Sequence, residues 1–281
     1  MRIRGLEVRE GTLANDLPYY ALGTGAPLVV LRWFTPAHAN PAGLTRGVEL
    51  RVLAPLARHF RLYAVGRAPG MAQGTTMADI AARHAEALRA EFGGPVDVMG
   101  LSSGGSVALQ MAADHPDVVR ALVVAGAAHR LTPNVRRLQR RYTEAVAAGR
   151  RGLQHQAVTA ASSPAGQALA GALLWLLDPL VRPGDPRDML AFARAEDGFD
   201  LTGRLADVVA PTLVLGGERD LDYPVELFRE TAEGIRDSRL ITYPGLGHLG
   251  TFRSGRFAAD VTAFLAGTGP GGSGEIARTT S

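Results

Sequence analysis

The serine at position 102 lies in Gly100-Leu101-Ser102-Ser103-Gly104, a G-x-S-x-G pentapeptide followed by Gly105. A serine hydroxyl attacks a carbonyl only when a base removes its proton. The base needs an acceptor to fix its tautomer and offset its charge. Two later stretches offer such groups. Gly216-Gly217-Glu218-Arg219-Asp220 presents Asp220 as the acid, with Glu218 and Asp222 as competitors. Pro244-Gly245-Leu246-Gly247-His248 presents His248 as the base. The order serine, acid, histidine suits acyl transfer through a serine ester.

The elements around these residues decide whether they meet. Pro95 to Met99 reads as a strand and Val107 to Ala113 as a helix, so Ser102 sits on a strand–turn–helix corner. At a helix N-terminus the positive end of the dipole favours a developing anion. Ser103 is the rival nucleophile, but shifting the frame by one puts Leu101 where the turn needs a small residue. A plain helix N-cap is the other reading of Ser102. Pro211 to Leu215 and Leu240 to Tyr243 read as strands running into the Asp220 and His248 turns. Groups at the carboxyl ends of parallel strands share one sheet edge. The other histidines (His38, His59, His84, His115, His129 and His155) lack a glycine-flanked strand end and read as helix-face or loop residues.

Further strand patterns are Ile3 to Val8, Leu17 to Leu22, Leu28 to Leu31, Leu62 to Val65 and Ala121 to Ala125. They alternate with helical patterns at Met77 to Phe92, Ser103 to His115, Pro224 to Ile235 and Phe252 to Leu265. This alternation predicts an α/β fold with a mostly parallel sheet and helices on both faces. It lapses over about 129–205, which holds the helical patterns Val135 to Ala148 and Gly166 to Leu177. The expected organisation is a core of residues 1–128 and 206–266, a helical insertion at 129–205 and a flexible tail at 267–281.

Composition excludes several chemistries. The 281 residues include no cysteine, and all 30 basic Lys/Arg residues are arginine. Disulfides, thiolate metal sites, Schiff bases and a P-loop lysine are therefore ruled out. A net charge of +3 makes no case for nucleic acid. Arg136, Arg137, Arg140 and Arg141 are expected on a solvated helix face. No signal peptide is visible. The longest apolar stretch, Ala165 to Val181, is interrupted by Gln167 and Asp178, so no membrane span and a cytoplasmic location are expected. Gly245-Leu246-Gly247-His248-Leu249-Gly250 spells G-x-G-x-x-G, but no further strand and acidic residue follow as a dinucleotide site requires. No cofactor and no metal are expected.

With Gly-x-Ser-x-Gly, a Gly-x-x-Asp turn and Gly-x-Gly-His in order, the chain from Ile3 to Leu265 resembles the α/β-hydrolase superfamily, most closely its small bacterial serine hydrolases and esterases. The resemblance implies an eight-stranded-type sheet and a lid formed by the 129–205 insertion. It also implies two backbone oxyanion donors, the N–H groups of Ser103 and Phe34. One departure stands out. Arg32-Trp33 occupies the place of the usual His-Gly, where glycine lets the backbone approach the substrate. Arg32 and Trp33 thus become substrate-pocket candidates, Arg32 facing an anionic group or else forming a structural ion pair. Gly66-Arg67-Ala68-Pro69-Gly70 resembles the family's Asp-x-Arg-Gly-x-Gly turn with the aspartate replaced.

The expected function is serine hydrolysis of a small carboxylic ester, thioester or lactone. The alternatives are a non-hydrolytic transferase, cyclase or lyase using the same three residues, and a ligand-binding protein with a vestigial triad.

Overall fold

The computed structural model describes residues 2–3 and 6–268, with side chains from residue 7 onward. Its strands are β1 (Arg2–Ile3), β2 (Leu6–Leu13), β3 (Leu17–Leu22), β4 (Ala26–Leu31), β5 (Phe60–Val65), β6 (Val96–Leu101), β7 (Val119–Ala125), β8 (Thr212–Gly217) and β9 (Ser238–Tyr243). They form one sheet in the order β1-β2-β3-β5-β4-β6-β7-β8-β9. Pairing is antiparallel from β1 to β5 and parallel from β5 to β9. The helices are α1 (Gly43–Leu53), α2 (Met77–Phe92), α3 (Ser103–Asp114), α4 (Pro133–Ala147), α5 (Ala157–Ala160), α6 (Pro164–Val181), α7 (Arg187–Asp197), α8 (Val225–Gly234), α9 (His248–Arg253) and α10 (Phe257–Gly267).

β4 shows why the sheet is covered on both sides. Val29 and Leu31 pack with residues of α2 and α3, whereas Leu28 and Val30 pack with residues of α1 and α10. Successive side chains in a strand point to opposite faces, so an unbroken apolar run needs helices on both. α2 is delimited by its own sequence. Thr76 and Asp79 form a reciprocal capping box, and Gly93 ends the helix at φ 67°.

The parallel register lines up the chemistry. Leu31 lies beside Gly100, Leu101 beside Ala125, and Ala125 beside Leu215; Gly217 then lies beside Tyr243. The turns after β4, β6, β8 and β9 therefore leave one edge of the sheet. Between β7 and β8 the chain runs through α4 to α7, with one isolated bridge, Arg130 to Asp200.

Several expectations are corrected in detail. The run Ile3 to Val8 is divided between β1 and the longer β2. Phe252 to Leu265 is two helices, because Ser254 adopts an extended conformation (ψ 132°) between α9 and α10. The break leaves Phe252 and Phe257 in edge-to-face contact at 6.1 Å. The expected tail begins within α10 at Gly267, and from residue 269 onward it lies outside the described residues. Arg136 is half-buried and reaches the Phe199 carbonyl, so only its neighbours Arg137, Arg140 and Arg141 form the exposed basic face.

α6 has 18 residues and is the one helix, among the described residues, long and apolar enough to cross a membrane. Leu169, Leu173, Leu176 and Leu180 lie exposed along it. Its buried Asp178 instead accepts from the Gly152 and Leu153 amides and pairs with Arg182. These bonds tie α6 to the segment before it.

Candidate active site

The turn after β6 can exist only with its glycines. Ser102 has φ 50°, a left-handed conformation that costs a residue with a β-carbon. A Cβ on Gly100 would lie 2.5 Å from the Gly104 carbonyl oxygen, and one on Gly104 would lie 2.1 Å from that of Leu31. The strained corner is held by the Ser102 N–H, which donates to the Ala125 carbonyl at 2.8 Å. It turns the Ser102 hydroxyl toward His248, with Oγ 3.0 Å from Nε2.

His248 opens α9, immediately after the Gly245–Gly247 turn. Its Nδ1 lies 2.8 Å from Asp220 Oδ2. The other oxygen of Asp220 accepts from the Asp222 and Tyr223 amides at 2.8 and 3.1 Å, which locks the carboxylate toward the imidazole. Tyr223 stacks on the imidazole at 6.0 Å and Phe252 meets it edge-on at 5.5 Å. Ring position is thus fixed by packing as well as by hydrogen bonds. Of the competing acids, Glu218 accepts from Thr242 on the exposed side, while Asp222 Oδ2 comes within 3.8 Å of Nδ1. Burial disfavours the charged imidazole, but the charge and hydrogen bond of Asp220 and the charge of Asp222 outweigh it and raise the His248 pKa to about 9. Burial, with the Asp220 charge adding to it, also raises the Asp222 carboxyl.

The structure thus brings Ser102, His248 and Asp220 together. Ligand atoms of Asp220, Asp222 and His248 also fall within 4.8 Å of one another, a cluster that sequence spacing did not suggest. Its Nδ1 and both Asp220 oxygens are already engaged in hydrogen bonds, an arrangement that suits a proton relay better than a metal.

Ser103 opens α3, so its N–H has no acceptor within the helix. The Phe34 N–H makes no hydrogen bond to the protein among the described residues. Arg67 organises that segment. It is buried, lies over the Phe192 ring at 4.2 Å, and donates to the Trp33 and Thr35 carbonyls. No peptide here is cis, so the Phe34 N–H points the opposite way from the Trp33 carbonyl, away from Arg67. Burial and the nearby Arg32 lower the Arg67 pKa to about 9, with Glu196, Glu49 and Asp188 opposing.

Trp33 and Arg32 part company. Trp33 lines the cavity and packs against Phe252 at 6.0 Å. Arg32, offered from sequence as a pocket residue, does not line it. Its Nε donates to Glu49 at 3.1 Å, both side chains being at most 3 % exposed, and Tyr20 donates to the same carboxylate at 2.7 Å. A buried guanidinium needs such a partner, and α1 supplies it.

The cavity has a volume of about 420 Å³. Ser102, Ser103 and His248 lie on its wall, with Leu138 and Tyr142 of α4 and Leu174 of α6 among its apolar residues. Sequence reading missed Arg67 as a clamp, the Glu49 partner of Arg32 and the cavity residues Tyr223 and Glu196. Arg67 lies in the turn noted above, but nothing in that turn marks it as a clamp; Arg67, Glu49 and Glu196 act through contacts between elements far apart in the chain.

A model of the Alpha/beta hydrolase family matches residues 24–260. The pimeloyl-[acyl-carrier protein] methyl ester esterase of Chromobacterium violaceum is 29% identical over 245 residues, covering 81% of this chain and 89% of that protein. The enzyme of the same name from Neisseria meningitidis serogroup B is 28% identical over 184 residues, covering 60% and 68%. Among solved structures, MGS-M2, an alpha/beta hydrolase enzyme from a Medee basin deep-sea metagenome library, superimposes with a TM-score of 0.72 at 20% identity, covering 89% of this chain and 94% of that one. At that identity the likeness speaks to the fold alone.

Proposed function

The chain belongs to the alpha/beta hydrolase family, and we propose that it is a serine esterase acting on small carboxylic esters through an acyl-enzyme. The observation that carries this reading is the continuous path from Ser102 Oγ through His248 to Asp220, at 3.0 and 2.8 Å, opening onto an apolar cavity. The methyl ester esterases among its relatives support ester chemistry.

His248 Nε2 takes the hydroxyl proton as Ser102 Oγ adds to the ester carbonyl, while Asp220 holds the imidazolium. The oxyanion accepts from the N–H of Ser103 and, by position, that of Phe34. Collapse expels the alcohol, which leaves with the proton from His248. Water, deprotonated by the same imidazole, then adds to the acyl-enzyme; collapse releases the acid and returns the proton to Ser102. In this reading α4 to α7 form a lid over the cavity and exclude bulk water from the acyl group.

The test is covalent labelling with a fluorophosphonate. Ser102 should be modified, and Ser102→Ala and His248→Ala should abolish the reaction. A folded wild-type protein that does not label refutes the mechanism. Product analysis with water and with added alcohol or thiol acceptors separates hydrolysis from transfer; acyl transfer in preference to hydrolysis would reassign the enzyme as a transferase.

A further inference from the structure

Glu196 and Asp222 are the two acidic residues on the cavity wall outside the triad, and of the two Asp222 lies beside His248. Glu196 occupies the last turn of α7 and is 1 % exposed, yet it lies on the cavity wall with Ser102 and Ser103. Its Oε1 accepts from Ser106 on α3, one turn beyond the Ser102 corner, at 3.1 Å. Its Oε2 is buried and meets no hydrogen-bond donor among the described residues. Gln139 also acts on this carboxyl by hydrogen bonding, which opposes the rise in its pKa, while one of its two amide hydrogens goes to the Ala193 carbonyl at 3.3 Å. Ser103 Oγ, on the same wall, is likewise buried without a partner.

A buried polar atom left unpaired costs about 1–3 kcal/mol, which a Ser106–Glu196 strut alone does not explain. A strut needs one oxygen; here the second is kept free beside an apolar cavity. Cavities of this size bind small molecules through an apolar lining and a few placed polar groups that fix orientation. We propose that Glu196 is a specificity residue that selects esters carrying an uncharged oxygen function, a hydroxyl or oxo group, placed to reach its free oxygen. This deepens, and rests on, the reading of the cavity as an ester site.

The charges around Glu196 define the class. An anionic substituent would face this carboxyl and Asp222 on the cavity wall, while Arg67, buried behind the wall, already offsets the Glu196 charge and leaves it less to offer a cation. Burial raises the Glu196 pKa to about 7, against the Ser106 hydrogen bond and the Arg67 charge, with Asp197 adding to the rise. Tyr223, whose own pKa is raised well above its usual value by burial and by Glu196, faces it as a neutral phenol. Below that pKa the carboxyl can donate to an oxo oxygen; above it the carboxylate can only accept from a hydroxyl.

Calorimetric binding in a Ser102→Ala background tests this without turnover, so a failure of esterase chemistry and a failure of this inference are read separately. The ligands are methyl esters of straight-chain acids, plain or bearing one hydroxyl or oxo group at successive carbons. At least one substituted ester should bind about tenfold more tightly than its plain counterpart, the worth of one buried hydrogen bond. The preference should collapse to about one in Glu196→Leu and survive in Glu196→Gln, whose amide both donates and accepts. The preference for the oxo ester should be present at pH 6 and lost by pH 8 with glutamate, and independent of pH with glutamine. A merely structural Glu196 would lower the melting temperature of the leucine variant without changing the ratio. Equal binding of plain and substituted esters by the protein with Glu196 intact would overturn the inference, as would an unchanged preference in Glu196→Leu.

Discussion

Replacing Asp222 by asparagine removes one charge beside the proposed base while keeping the backbone amide that supports Asp220. Asp222 Oδ2 stands 3.8 Å from His248 Nδ1. Opposite unit charges at that separation attract by about 1 kcal/mol at the dielectric of water and about 4 kcal/mol at an effective value of 20. These bounds translate into about 0.8 to 3 pKa units. Burial raises the Asp222 carboxyl and so weakens its hold on a full negative charge, and the expected shift is taken at the lower bound. Ser102 can lose its proton only to a neutral imidazole, so activity falls as pH drops through the His248 pKa. Loss of the Asp222 charge lowers that pKa, and Asp222→Asn should therefore carry activity about one unit further into acid. The assay is kcat/KM for p-nitrophenyl butyrate between pH 5 and 10, which reports ionisations of the free enzyme. The wild-type acid limb should lie above the ordinary histidine value, toward 9. A limb that stays put in Asp222→Asn, or moves to higher pH, would refute the electrostatic argument.

Three other perturbations probe different parts of the structure. Asp220→Asn should cut kcat by roughly 10³–10⁴-fold with little change in melting temperature, since the amide still fills the space but fails to fix the tautomer; steady-state kinetics beside thermal melts check this. Gly104→Ala places a methyl 2.1 Å from the Leu31 carbonyl, so strand β4 or helix α3 must shift. A loss of about 3 kcal/mol in urea unfolding is expected. Glu49→Leu strands the buried Arg32 guanidinium and removes the acceptor of Tyr20. It should cost about 3–5 kcal/mol, most of it recovered when Arg32→Met is added, as a double-mutant cycle by denaturant unfolding would show.

The sequence by itself determined the alternation of elements, because burial on both faces writes unbroken apolar runs such as Leu28 to Leu31, and amphipathic helices repeat every 3.6 residues. It also placed Ser102 and His248, and favoured Asp220 within the acidic turn 218–222, because tight strand-end turns demand glycine locally and each motif is contiguous. Contacts between distant segments leave no such local trace. Nothing near Arg32 announces that Glu49, seventeen residues on, takes up its charge, so a substrate ligand stayed open beside the favoured reading of a structural ion pair or solvent-facing side chain. The choice among Glu218, Asp220 and Asp222 needed the register of β8 against β9, which sends Glu218 toward Thr242 and Asp220 toward the imidazole. Arg67 and Glu196 acquire their roles only when the loop after β5 and the end of α7 fold back over α3 and the turn after β4. Tertiary packing decided these points because hydrogen bonding and desolvation depend on which atoms meet in space, and separation along the chain does not record that.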